Sequence, residues 1–304
     1  ADTCPPAPVA SGAVRARTLA CAADLPTGHE AIGRVGDLVI ENAVARFVVR
    51  TGAEGHALAG LTGGNVVDAV RIDSAGKQVG VDGLREFAVA VEFHLVLPTS
   101  VSVVDSGDAG VAAVEVRGTL VPFPILHALF EPPMPDVEVV QRYELRPDST
   151  TLESRTRVVP KSGKAIKALV ADVSLWSGRL GVWLPGVVGE LPLVSTAPLV
   201  GFGSEDGRDD VAAAAVAYTT PVSIIDTSGI IVVLQPDEDI PAAGRDVVRW
   251  LAIGGAVDDD LGGALAAAVA PGGEVREVLE GVVTGMWPGV RVEALDAAGA
   301  AVAR

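Results

Sequence analysis

The run VEVVQRYELRPDSTTLESRTRVV, Val137 to Val159, does most to limit what this chain can become. Val137, Val139, Tyr143 and Leu145 share one parity, and Glu138, Arg142, Glu144 and Arg146 share the other. A repeat of two with one wet face marks an antiparallel sheet packed on one side. Pro147 and Asp148 supply the reversal, because proline presets φ and aspartate can bond back to the backbone. Leu152, Ser154, Thr156 and Val158 then continue one face, opposite Glu153, Arg155 and Arg157. The two charged faces are expected to pair opposite signs across the strands.

The same grammar recurs along the chain. GDLVIENAVARFVVR (Gly36 to Arg50) reads as two short strands around Glu41 and Asn42, and GGNVVDAVRID (Gly63 to Asp73) as another. REFAVAVEFHLVLP (Arg85 to Pro98) reads as one alternating strand, followed by GVAAVEVRGTLVP. Later strands are expected at AIKALVADVSLW, VAAAAVAYTT, VSIID, GIIVVLQ and RDVVRWLAIGG, with short turns between them. Many strands at short spacing predict an all-β chain, a large antiparallel β-sandwich. One short helix is expected over Ala256 to Ala270, where Leu261, Leu265 and Val269 recur at i and i+4.

Composition narrows the function classes. A hydrophobic fraction of 49% against 20% charged residues supports a sizeable core. A net charge of −16 argues against nucleic acid and anionic membranes. No apolar run reaches the length of a transmembrane helix. Cys4 and Cys21 lie in a Pro- and Ala-rich N-terminal stretch; they read as a disulfide that tethers it or as two free thiols. The bridge fits a secreted, extracellular or periplasmic protein whose signal peptide is already removed.

The order GDLVIENAVARFVVR, GGNVVDAVR and YELRPDSTTLESRTRVV resembles the N-terminal β-supersandwich of secreted bacterial multidomain proteins. Galactose mutarotases and domains of polysaccharide lyases share that fold. The closing GVVTGMWPGVRVEALDAAGAAVAR is similar to the first strands of a carboxypeptidase regulatory-like, immunoglobulin-type module. Such modules precede PHP metallohydrolase domains of the CehA/McbA kind, whose His-rich metal motifs this sequence lacks. The resemblance implies a tethered segment over 1–30, a supersandwich-like domain over 31–272 and a partial immunoglobulin-like β segment over 273–304. That last segment reads as a cut through a longer protein or as a piece that packs by β-strand addition, on its own domain or in self-association.

A mutarotase-like enzyme would need a histidine and a carboxylate in an open cleft. Glu92 and His94, two apart in VEFHLVL, are the best such pair, and a merely shared strand face is the competing reading. His56 lies in a glycine-rich loop, His127 in an apolar run, and His29 near the tether. Trp176 and Trp183 flank SGRLGV and offer a glycan platform or core packing. No catalytic residue and no metal site is assigned. No cofactor is expected beyond a structural calcium at SEDGRDD, which also reads as a solvated acidic turn. The sequence therefore predicts a non-catalytic extracellular β-domain with a structural, adhesive or assembly role. The alternative is a carbohydrate-binding or carbohydrate-active module.

Overall fold

A computed structural model describes residues 4, 6–52, 62–124, 133–177, 180–184, 194–204, 212–227, 230–235, 238–254, 264, 267–268, 294–295 and 301–303. In chain order the strands are β1 (Val14–Thr18), β2 (Leu38–Asn42), β3 (Ala45–Val49), β4 (Val66–Ile72), β5 (Gln78–Val79), β6 (Leu84–Val91) and β7 (His94–Ser106). Then come β8 (Ala112–Pro122), β9 (Val137–Leu145), β10 (Thr151–Pro160), β11 (Ile166–Ala168), β12 (Val170–Trp176), β13 (Leu180–Trp183) and β14 (Val194–Ser204). The last are β15 (Ala214–Thr227), β16 (Ile230–Leu234), β17 (Glu238–Ile240), β18 (Arg245–Ile253), β19 (Ala294–Leu295) and β20 (Ala301–Ala303).

The long hairpin forms as its alternation requires. Along β9 the inward parity is buried and the outward parity half-buried or exposed, and β10 repeats the pattern. The charges pair differently from the sequence expectation. Register sets Glu153 opposite Glu144 and Arg155 opposite Arg142, like against like. Compensation runs along each strand, where Arg155 bonds Glu153 at 2.6 Å and Arg142 bonds Glu144, and to the outer neighbours, where Arg157 meets Asp246 of β18 at 3.1 Å and Glu138 meets Arg117 of β8 at 3.3 Å. Two residues of one parity on a strand point the same way, so a long arginine reaches the glutamate two positions off.

Strand order is β1-β2-β3-β4-β6-β12-β16-β15-β18-β10-β9-β8-β7, and β6 also pairs with β7. The strands from β6 round to β7 thus form a closed antiparallel circuit. The β1–β4 branch leaves it at β6 and lies back over β7, β8 and β9. Phe47 and Val66 of the branch share one buried cluster with Phe87, Tyr143, Leu152 and Leu251 of the circuit. The result is the sandwich that the alternation predicts. β13 and β14 flank it through β15, and β11 with β17 forms a separate ribbon.

The Arg85 to Pro98 run is not one strand. It folds back at Glu92 and Phe93, both at positive φ (48° and 60°), and Val91 pairs with His94. Two central residues of positive φ match the right-handed twist of the strands they join. The turn after β2 also differs in detail. Asn42 stays in the strand, and its side-chain oxygen accepts the N–H groups of Val44 and Ala45.

Cys4 and Cys21 are joined by a disulfide. The tether continues into a 3-10 turn, Ala22–Asp24, and Asp24 binds Arg17 with both oxygens. Next to it Glu41, fully buried, is met by three arginines. Arg15 and Arg17 reach its Oε1 at 2.8 Å, and Arg46 reaches Oε2 at 2.7 Å. Of the expected helix only Ala264, Ala267 and Ala268 are described, and all three are helical. β19 and β20, both within the 273–304 segment, pair antiparallel with each other.

Candidate functional site

Glu92 and His94 do not share a strand face, because the hairpin reversal falls between β6 and β7. Each serves the turn. The Glu92 carboxylate accepts the Leu169 N–H at 2.6 Å, and the Glu92 N–H donates to the Leu169 carbonyl at 2.9 Å. The His94 ring is 1% exposed, and its Nδ1 donates to the Glu92 carbonyl at 2.7 Å. A carbonyl can only accept, so that bond places the proton on Nδ1.

Trp176 and Trp183 are not brought together on an exposed hairpin. Trp176 ends β12 and stacks on Phe202 of β14, centroids 3.9 Å apart and planes at 16°. Trp183 ends β13 and packs in another buried cluster with Leu199 and Ala215. Both are buried, at 5% and 2% exposure, so neither offers a ring face to a sugar. His29 is exposed. His56, His127 and the SEDGRDD turn lie outside the described residues.

The structure gathers a different set. Arg249 of β18 is fully buried, and its Nε lies 2.6 Å from Oδ1 and 2.8 Å from Oδ2 of Asp172 on β12. These strands are three ladder steps apart, about 14 Å along a flat sheet, so the contact crosses the curled interior. Nη1 of Arg249 donates to the Thr156 hydroxyl at 2.7 Å and to the Val247 carbonyl at 3.2 Å. The register puts Tyr218, Arg249, Ser154 and Tyr143 in one row across β15, β18, β10 and β9. The Tyr143 hydroxyl donates to the Gly64 carbonyl at 3.1 Å, tying that row to the branch.

Electrostatics in this belt follow from burial. Burial pushes the Asp172 carboxyl up, and the Arg249 charge pulls against it. Burial likewise raises the Tyr143 and Tyr218 hydroxyls, so both stay protonated donors. Arg249 supplies the countercharge that a buried carboxylate such as Asp172 needs to remain inside. The belt has charge and hydrogen-bond donors, and its side chains are buried.

A second buried pair lies where the branch leaves the circuit. Asp68 of β4 and Asp82, just before β6, are both buried and lie beside each other. Asp68 accepts the N–H of Ile32 at 2.8 Å and of Gly33 at 3.0 Å; Asp82 accepts those of Ala69 at 3.2 Å and Leu84 at 3.0 Å. Gly33 is required there, because a Cβ would sit 2.3 Å from the Asp68 Oδ2.

Sequence reading missed Asp68, Asp82, Asp172 and Arg249. For Asp68, Asp172 and Arg249 the signal is a lone charge inside an apolar run, as in NVVDAV, LVADVS and VVRWLA; Asp82, in the glycine-flanked VGVDGL, carries none. Among the described residues no group of three or more His, Cys, Asp or Glu side chains is placed to hold a metal ion. Among the described residues no helix is long and apolar enough to cross a membrane.

No family model and no curated protein matches the chain. Solved structures resemble it remotely. The Slr1438 protein of Synechocystis sp. PCC 6803 is 12% identical over 73% of this chain and 97% of its own, with a TM-score of 0.46. A galactose mutarotase-like protein from Lactobacillus casei is 9% identical over 72% of this chain and 100% of its own, at 0.44. A galactose mutarotase-like protein from Clostridium acetobutylicum is 11% identical over 72% and 95%, at 0.42.

Proposed function

We propose that this chain is a non-catalytic β-domain with a structural or assembly role in a larger secreted or cell-surface protein. One observation carries this reading. Among the described residues the side chains best suited to chemistry, His94, Glu92, Asp172 and Arg249, are spent on holding turns and the sandwich interior. A general acid or base must instead reach a substrate proton. The Cys4–Cys21 bridge supports an oxidising compartment. The reading needs no cofactor, and it leaves the C-terminal strands available for β-strand addition within or between chains.

The glycan-binding alternative has one observation in its favour. A cleft with about 30 Å³ of room, enough for a water or a hydroxymethyl group, is lined by Thr219, Thr220, Gln235, Arg245 and Asp246. The Gln235 Nε2 is buried there without a partner among the described residues.

The test is a pair of assays on the purified chain: galactose mutarotation followed by polarimetry, and binding to a glycan array. We expect mutarotation at the spontaneous rate and no array signal. An accelerated rate lost in His94→Ala would overturn the structural reading. Array binding lost in Gln235→Leu would move the function to the cleft.

A further inference from the structure

The Asp68–Asp82 pair poses a chemical problem that its neighbours do not solve. An ionised carboxylate can only accept hydrogen bonds. The Asp82 Oδ1 is served by the Ala69 and Leu84 N–H groups, while Oδ2 is buried and meets no donor among the described residues. What lies beside it is the other carboxyl, that of Asp68. Two acceptors in contact away from water are compatible only if a proton lies between them.

We infer that Asp68 and Asp82 share one proton at neutral pH and act as an acid-tightened clasp on residues 27–37, which loosens as the pH rises. The segment is caught at several points. The Asp82 N–H donates to the Thr27 carbonyl, and Gly28 packs so closely on Asp82 that a Cβ would lie 2.9 Å from its nitrogen. The Asp68 carboxyl holds the Ile32 and Gly33 N–H groups. Loss of the shared proton to solvent leaves two negative charges in contact, and the clasp opens so that water reaches both.

The other charged groups around the pair are already balanced. Arg50, at the end of β3, faces Asp68 but bonds Asp37 at 3.1 Å and also the Ile32 carbonyl. Asp37 further accepts the Thr51 N–H at 2.9 Å. Glu30 on the segment is paired with Arg85 of β6. Of these groups Arg50 alone pulls on the pair, through Asp68, and it shares its charge with Asp37.

The sign follows from burial. Burial raises Asp68 to about 6, against the pull of the Ile32, Asp82 and Gly33 bonds and of Arg50. Burial, and then the Asp68 charge, push Asp82 well above the ordinary carboxylate range. With the clasp open, both carboxyls are solvated and titrate as ordinary ones. The closed form therefore binds more protons. Its advantage is complete below the ordinary range and drains as the pH rises through about 6 and beyond.

The test is an NMR titration of the full chain with carboxyl-labelled aspartate, between about pH 4 and pH 9. We expect one aspartate carboxyl to keep its protonated shift at neutral pH. Protection of the Ile32 and Gly33 amides, corrected for base-catalysed exchange, should fall about tenfold or more from pH 5 to pH 8. In Asp82→Asn the new amide donates to Asp68 while its carbonyl keeps Ala69 and Leu84, so the protection should become independent of pH. In Asp68→Asn the amide can donate to Asp82, but Gly33 then keeps only the other oxygen, so the protection should be weaker and equally independent of pH. Aspartates that all titrate in the ordinary range would overturn the inference, as would an unchanged pH dependence in either variant. The wild-type titration decides even if neither variant folds.

Discussion

Asn42 and Arg146 stand 104 residues apart, and the Asn42 side-chain amide donates to the Arg146 carbonyl at 2.8 Å. The same nitrogen donates to the Ser149 carbonyl at 2.7 Å, while the oxygen serves Val44 and Ala45. One buried side chain thus closes its own turn and clamps the turn between β9 and β10. Asn42→Ala should destabilise the fold by about 3 kcal/mol, since several buried polar groups lose their partner at once. Asn42→Asp keeps the two N–H bonds but sets a carboxylate against two carbonyls, and is expected to cost at least as much. Urea unfolding midpoints measure both.

Arg249→Met should cost about 3–5 kcal/mol, because it leaves Asp172 buried without its countercharge. Adding Asp172→Leu to the same chain should return most of that loss, because an apolar pair has no charge to desolvate. If the double variant is no more stable than Arg249→Met alone, the pair does more than cancel its own desolvation. Thermal unfolding of the three chains provides the comparison.

Acid should attack the fold at Glu41. Burial alone would raise this carboxyl, but Arg46, Arg17 and Arg15 outweigh it and hold it below its ordinary value. A depressed carboxyl contributes stability that is complete above its unfolded value and is lost as the pH falls through the folded one. Stability from this source should therefore drain below about pH 4. Glu41→Gln, less stable at neutral pH, should show a flatter acid limb in urea melts taken across that range.

Reducing Cys4–Cys21 should lower stability by about 3 kcal/mol, the loop-closure value for a bridge spanning 17 residues. Arg17 and Asp24 still pin the tether beyond the bridge, so the loss should stop short of global unfolding. Intact mass after alkylation, with and without reductant, reports the bridge, and a melt in reductant reports its worth.

The hairpin over Val137 to Val159 was legible because charged residues alternate with apolar ones on each strand, at Glu138, Arg142, Glu144 and Arg146 and then at Glu153, Arg155 and Arg157, a pattern that a one-sided strand pair explains. The reversal at Glu92 and Phe93 was not. Neither residue favours positive φ, so no Asn-Gly or Asp-Gly signal marks the turn, and the apolar run reads straight through it. Tertiary bonds to Leu169 and Phe123 hold it instead. The interior belt was hidden for another reason. Parity says that Asp172 and Arg249 point inward, but not that two residues 77 apart meet across a curled sheet. The same limit turned Trp176 and Trp183 from a possible platform into two separate pieces of core.

The closed circuit from β6 to β7 also decides how the molecule would answer a mechanical pull. A strand inside a ring has a ladder on each side, so removing it means breaking two sets of bonds together. Among the described strands β1 pairs with β2 alone, and β2 leads on through β3 to β4. Tension applied at Cys21 would therefore unzip the branch one strand at a time while the ring stayed shut. The branch would yield as an extensible lead, and the ring would stay behind as the rigid anchor.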